Sequence, residues 1–373
     1  MKRLRGLIAR SDGSTLPGTV GFEASIESIE AVGQSDAGDY ILPGFIDLQI
    51  NGAGTVDVMS ASADALVGLS AELAREGTTA WLATAITSPL ERIEASAATV
   101  AEAASAIEDI PADGLRKPAA AILGMHQEGP FISPARLGAH PPYNLLPRGD
   151  PLRRVAALRR LRMMTLAPEL DGALEAVTML SARGVAVSLG HTDATLEQAQ
   201  AAVAAGARMF THTFNAMAPL HHRKPTVAAA AMLPSRALAA VIADGIHVHP
   251  DMLRLLYRAR GASGVCLTSD RVATGGAAGS PPRSDATDSG GAARMPDGRL
   301  AGSVISMLNG ARMMVERVGA SVGEAALMAA SNPARVLGSN DRGKIEVGAR
   351  ADLLVLGPAL ELKAVFIGGR ELA

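Results

Sequence analysis

The sequence contains a single cysteine, Cys266, in 373 residues. A lone thiol excludes a disulfide framework and a thiolate zinc cluster, and an oxidising compartment has left no mark on the chain. Any metal must therefore be held by histidine and carboxylate. Neither sign of charge is in excess, with 35 basic against 37 acidic residues, and basic residues occur only in short clusters such as Arg153-Arg154 and Arg159-Arg160. That balance argues against nucleic acid or an anionic membrane as a partner. No apolar run reaches the roughly 18 residues of a membrane span, since the Ala-rich stretch 227–243 is cut by Pro234 and Arg236. The opening MKRLRGLIARSDG has neither the apolar segment nor the small-residue cleavage site of a secretory signal. The expectation is a soluble, cytoplasmic protein.

What the chain does have is alternation. After 44–49, strand-like apolar runs at 79–86, 119–125, 163–167, 185–189, 208–211, 238–243 and 264–268 are interleaved with helical patterns at 63–76, 89–107, 151–161, 170–183, 196–205 and 250–260. Eight strands in that order favour a closed (β/α)8 barrel over an open sheet. Both ends read differently, as short strands with glycine-marked turns: 3–10, 19–24, 26–32 and 40–42 at the start, then 344–347, 352–356 and 362–367. The expected architecture is therefore an α/β protein, a TIM-type barrel over 43–338 with a small β-sandwich domain built from 1–42 and 339–373. One segment, 275–298, is rich in Gly, Ala, Ser and Pro with little to bury, and reads as a mobile loop near the barrel mouth.

The carboxyl ends of parallel barrel strands face the substrate mouth, so polar residues there point to a site. The chain repeats this feature. Gln49 and Asn51 follow the first strand, Glu128 the third, Glu169 the fourth, His191 the fifth, His212 and Asn215 the sixth, Asp244 and His247 the seventh, and Asp270 the eighth. Glu128, His191 and His212 form a His2Glu set, which suits a tetrahedral zinc site with its fourth position open to water. A metal so held brings the pKa of bound water toward about 7 and polarises a carbonyl, allowing amide or ester hydrolysis at neutral pH. Asp270 is placed to take the water proton and pass it to a leaving nitrogen.

These stretches resemble the amidohydrolase superfamily and, within it, the N-acetylglucosamine-6-phosphate deacetylases. The resemblance is carried by PGFIDLQINGAG at 43–54, HQEGPFISPARLGAH at 126–140, LGHTDAT at 189–195, THTFNAMAP at 211–219, IADGIHV at 242–248, LTSD at 267–270, LAGS at 300–303 and GKIEVGARADLLVL at 343–356. It implies metal ligation by Glu128, His191 and His212, a catalytic Asp270, and His140 at the substrate carbonyl or a nearby hydroxyl. It implies further that His247, Asn215 and Ala216 meet the sugar phosphate together with Arg223, which in the family often reaches across a homodimer interface. Ala139 and Leu300 belong to the same implied pocket. Gln49 stands where many amidohydrolases have a histidine of His-x-His. An amide oxygen is a poor zinc ligand, so one divalent metal is expected, zinc first, with Fe2+, Co2+ or Mn2+ accepted by the same donors. The implied reaction is hydrolysis of the acetamide of N-acetylglucosamine 6-phosphate. The galacto epimer or another amide, and a non-catalytic oligomeric relative, are the alternatives.

Overall fold

The computed structural model describes residues 1–33, 38–108, 118–274 and 287–372. Its centre is a sheet of eight parallel strands in chain order: β1 (Phe45–Ile50), β2 (Thr78–Ile86), β3 (Ala121–Glu128), β4 (Leu161–Leu166), β5 (Ala186–Leu189), β6 (Met209–Phe210), β7 (Leu238–Val241) and β8 (Val265–Leu267). The sheet closes on itself where Asn51 and Gly52 donate backbone N–H bonds to the Arg271 carbonyl, at 2.7 and 3.1 Å. Alternate residues along the strands face inward. Ile46 and Leu48, Ala80 and Leu82, Leu238 and Ala240 pack there with Met163, Met209 and Cys266. A short helix, Asn332–Leu337, adds Ala334, Val336 and Leu337 to that cluster and stoppers the amino-terminal end of the barrel.

The intervening helices start where capping chemistry permits. Ser62 caps Ala63–Arg75 by accepting from the Ala65 N–H, and Thr195 with Gln198 makes a reciprocal capping box on Leu196–Ala205. Both chain ends join one seven-stranded sheet. The strands Thr15–Phe22 and Leu362–Ile367 stand four places apart in it, about 19 Å across a flat sheet at ~4.8 Å per strand. Yet Phe22 and Phe366 meet edge to face with ring centroids 5.2 Å apart. The sheet therefore folds over into a sandwich around Ile8, Val20, Phe22, Ile41, Leu353 and Phe366.

Two expectations are corrected. Residues 344–347 are irregular rather than a strand, and Gly343 and Gly348 take positive φ on either side of them. Of the segment 275–298, residues 275–286 lie outside the described residues, and the rest is ordered. Thr287–Ser289 and Ala292–Arg294 pair as a hairpin that continues onto the strand Leu300–Ser303. Small size explains the misreading: Ala292 and Ala293 offer little apolar surface in sequence, but Ala293 packs with Ala139, Val272 and Ala301 over the mouth of the barrel. Among the described residues no helix is long and apolar enough to cross a membrane.

Phe22→Ala is expected to destabilise the protein by about 3–5 kcal/mol, read as a shift in urea unfolding. A loss below about 1 kcal/mol would contradict the sandwich as a packed unit.

Candidate active site

Glu128 ends β3 with its side chain fully buried. Its Oε1 lies 3.1 Å from His191 Nε2 and 3.0 Å from His212 Nε2, and the two imidazole nitrogens are 3.2 Å apart. The third neighbour of Oε1 is the Gln49 amide, which donates at 2.9 Å. Oε2 faces His140 Nε2 at 3.2 Å. Burial raises the Glu128 carboxyl, but His140 and the hydrogen bonds of His140, His191 and His212 outweigh it and hold Glu128 well below the usual carboxylate range. His212 is likewise buried, which lowers it, yet the hydrogen bond and charge of Glu128 and the charge of Asp270 raise it overall.

The hydrogen bonds on the far side of the His191 and His140 rings assign their tautomers. His191 Nδ1 faces the Arg136 carbonyl at 2.9 Å. A carbonyl only accepts, so the proton sits on Nδ1 and Nε2 presents a lone pair to Glu128. His140 is reversed. Its Nδ1 receives the Thr87 backbone N–H at 3.4 Å and lies 2.9 Å from the Thr87 hydroxyl, so its proton sits on Nε2. Glu128, His140 and His191 offer ligand atoms within 4.8 Å of one another, but a protonated Nε2 is a donor, not a ligand. The atoms that converge are Glu128 Oε1, the His191 Nε2 lone pair and His212 Nε2. Three such atoms in van der Waals contact repel unless a cation lies between them, and one carboxylate with two imidazoles is a donor set that fits a divalent metal.

The Gln49 Nε2 group spends its two protons on two carboxylates, Glu128 and, at 3.0 Å, Asp270 Oδ1. Asn51 donates to the same Asp270 oxygen at 2.8 Å. Asn51 was not singled out as a contact in the sequence, where only its position beside Gln49 marked it. Strain also gathers here. Of the seven non-glycine residues with positive φ among the described residues, His191, His212, Phe214, Ala216 and Asp270 lie at the mouth, and such conformations persist where surrounding structure imposes them. The His191 loop is pinned by the Ser133 N–H to the His191 carbonyl at 2.8 Å and by Arg136 bonding Asp193 at 2.6 Å.

A cavity of about 140 Å³ opens above these atoms. It is lined by His191, His212 and Asp270 and by the expected Ala139, Asn215, Ala216, His247 and Leu300. Gly138, Ile242, Ala301 and Gly302 complete it; glycines and small apolar residues gave no chemical signal in the sequence. Gln49 and His140 lie beneath it, bonded as above. His247 is oriented by Asp244, Nδ1 to Oδ2 at 2.6 Å. Arg223 does not join the cavity in this chain. It is exposed on the loop after Leu220, with Nη1 against His222 Nε2 at 3.0 Å.

A (β/α)8 barrel that gathers imidazoles and carboxylates at its mouth places the chain in a class: it belongs to the amidohydrolase family, whose model matches residues 40–372. Within that family it is similar to N-acetylglucosamine-6-phosphate deacetylase of Bacillus subtilis (strain 168), 35% identical, the alignment covering 96% of this chain and 90% of the relative. It is similar to N-acetylgalactosamine-6-phosphate deacetylase of Escherichia coli O157:H7 at 36% identity, covering 94% of this chain and 92% of the relative. Among solved structures it resembles an Asp-to-Ala variant of N-acetyl-D-glucosamine-6-phosphate deacetylase from Mycobacterium smegmatis, in complex with N-acetyl-D-glucosamine-6-phosphate. That match has a TM-score of 0.84 and 31% identity, and covers 99% of this chain and 98% of the other.

Beneath the site, Asp47 is buried and accepts from the Thr268 hydroxyl and the Ser269 and Gln49 N–H groups, and burial pushes its carboxyl up to about 6. A carboxyl whose pKa is raised on folding binds more protons folded than unfolded between its unfolded value and about 6. Stability therefore falls as pH rises through that window. The stability of wild type relative to Asp47→Asn is expected to fall by about 2 kcal/mol between pH 4 and pH 7, measured by urea unfolding across pH. A flat difference would mean that Asp47 is ionised without penalty.

Proposed function

We propose that the protein hydrolyses the acetamide of N-acetylglucosamine 6-phosphate to glucosamine 6-phosphate and acetate, in amino-sugar catabolism. The observation that carries this reading is the meeting of Glu128 Oε1, His191 Nε2 and His212 Nε2 at 3.0–3.2 Å beside Asp270, in a chain whose relatives have the named activity. Glu128, His191 and His212 would hold one divalent metal, zinc first. When bound, it supplies a Lewis acid that polarises the acetamide carbonyl and lowers the pKa of water.

The chain's own groups do the rest. Gln49 and Asn51 fix Asp270 by donating to Oδ1. So oriented, Asp270 takes a proton from water as its oxygen bonds the carbonyl carbon, and returns that proton to nitrogen as the C–N bond breaks. His140 holds its Nε2 proton against Glu128 Oε2 in the unliganded site and would turn that donor to the oxygen that gains negative charge when substrate is bound. His247, oriented by Asp244, and Asn215 take the phosphate, whose remote binding energy holds the amide in register with the water. Arg223 adds its guanidinium from a neighbouring copy in a homodimer, a role its exposed loop permits. The barrel of residues 43–338, the small β unit of 1–42 and 339–373, and a cytoplasmic location belong to the same reading. A second reading, action on the galacto epimer, is favoured by the similarity to the Escherichia coli O157:H7 relative.

Asp270→Asn is expected to bind N-acetylglucosamine 6-phosphate within about threefold of wild type and to lose three or more orders of magnitude in kcat, on the scale of removing a catalytic proton carrier. Near-wild-type turnover would remove Asp270 from the reaction.

A further inference from the structure

The barrel carries a second constellation at the end opposite its mouth. Around the Asn332–Leu337 stopper, Arg208, Arg236 and Arg335 line a cavity of about 340 Å³ together with Ser181 and Gly206. Arg236 and Arg335 also line an adjoining cavity of about 460 Å³ with Arg260. No acidic residue lines either one. Many other arginines meet carboxylates, as Arg154 meets Glu94, Arg160 meets Glu108 and Arg271 meets Glu76. These four make no ion pair among the described residues; each is anchored on backbone carbonyls.

Arg208 Nη1 donates to Val336 O at 3.2 Å, Arg236 Nη2 to Ala204 O at 2.9 Å and Nη2 of Arg335 to Ser263 O. Arg260 is buried and donates to Ala231, Leu233 and Ala237 carbonyls at 2.9, 2.7 and 2.5 Å. Carbonyl anchors fix a guanidinium in place without neutralising it; Arg208 and Arg335 each keep several of their five N–H donors available and Arg236 keeps its Nη1, while Arg260 is committed to the carbonyls. Burial, then the charge of Arg335, push the Arg260 guanidinium below its ordinary value, so the charges feel one another. The Ser181 hydroxyl, in the same lining, is buried with no hydrogen-bond partner. A side chain at Gly206 would come within 2.6 Å of it, so glycine keeps that corner open.

We propose that this basal pocket binds a phosphate-bearing small molecule at a site separate from the barrel mouth. Planar guanidinium forks match phosphate oxygens, and three of them with a hydroxyl can surround a diphosphate group. The cavity is of ligand size. It has no aromatic lining, the stacking platform that single-stranded nucleic acid uses. Leu238, which opens β7, lines the basal pocket and Ile242, just past its end, lines the mouth, a separation of about 13 Å at ~3.3 Å per residue.

The test uses inorganic pyrophosphate, titrated calorimetrically at fixed ionic strength into wild type, His247→Ala and the double variant R208Q/R335Q. One equivalent is expected to bind wild type and His247→Ala alike, and at least tenfold more weakly to R208Q/R335Q. In wild type, pyrophosphate should also slow phenylglyoxal modification of Arg208 and Arg335 at least fivefold while sparing Arg159, which keeps the test valid if the variant fails to fold. No saturable binding by wild type, equal binding by the double variant, or loss confined to His247→Ala would each overturn the proposal. So would protection of these arginines by a 20-nucleotide DNA strand and not by pyrophosphate.

Discussion

A carboxylate with no solvent access sits at the end of a buried strand, and the architecture of the mouth follows from what is needed to keep it there. An isolated ion of that kind is too costly to bury. Glu128 is therefore met on one oxygen by the Nε2 proton of His140, and on the other by the Gln49 amide and the Nε2 atoms of two imidazoles. The lone-pair side is what distinguishes this cluster from an ordinary buried ion pair, because His191 has already given its Nδ1 proton to the Arg136 carbonyl. The arrangement balances only with positive charge at the centre of the three atoms.

The scaffold supplies rigidity at that point. Eight parallel strands deliver their last residues to one rim, and the rim residues adopt positive φ that the following backbone bonds enforce, such as Ser133 on His191 and the Ala240 carbonyl receiving the Thr213 N–H. The hairpin and the strand Leu300–Ser303 roof the cavity with alanine and glycine, leaving room for a polar ligand against a smooth wall. The Asn332–Leu337 stopper closes the other end, where arginines anchored on carbonyls hold it.

Much of this was legible in the sequence because barrels translate position into location. A polar residue closing an apolar strand can only face the mouth, so Glu128, His191, His212, Asp270 and Gln49 were recognisable from order and residue type. The strand count held even where boundaries moved, as with β3, which runs on through His126 to Glu128. What escaped had no local signature. Asn51 gains its contact to Asp270 from barrel closure, between residues 219 positions apart. The roof is built from alanines whose burial depends on distant partners. The short helices after Met307, which carry no long amphipathic stripe, emerge only from packing against the barrel. Arg223 was legible as a residue but not as a position, since its loop points away from the cavity of its own chain.

The most direct test is acetate release from N-acetylglucosamine 6-phosphate by protein stripped with chelator, before and after one equivalent of zinc is restored, beside the unphosphorylated sugar and the galacto epimer. The account predicts no turnover by stripped protein, recovery with zinc, and at least a hundredfold preference in kcat/KM for the phosphorylated gluco sugar. Full activity without metal would contradict the reading of the Glu128 cluster, and turnover of the galacto epimer alone would move the substrate assignment to the second reading.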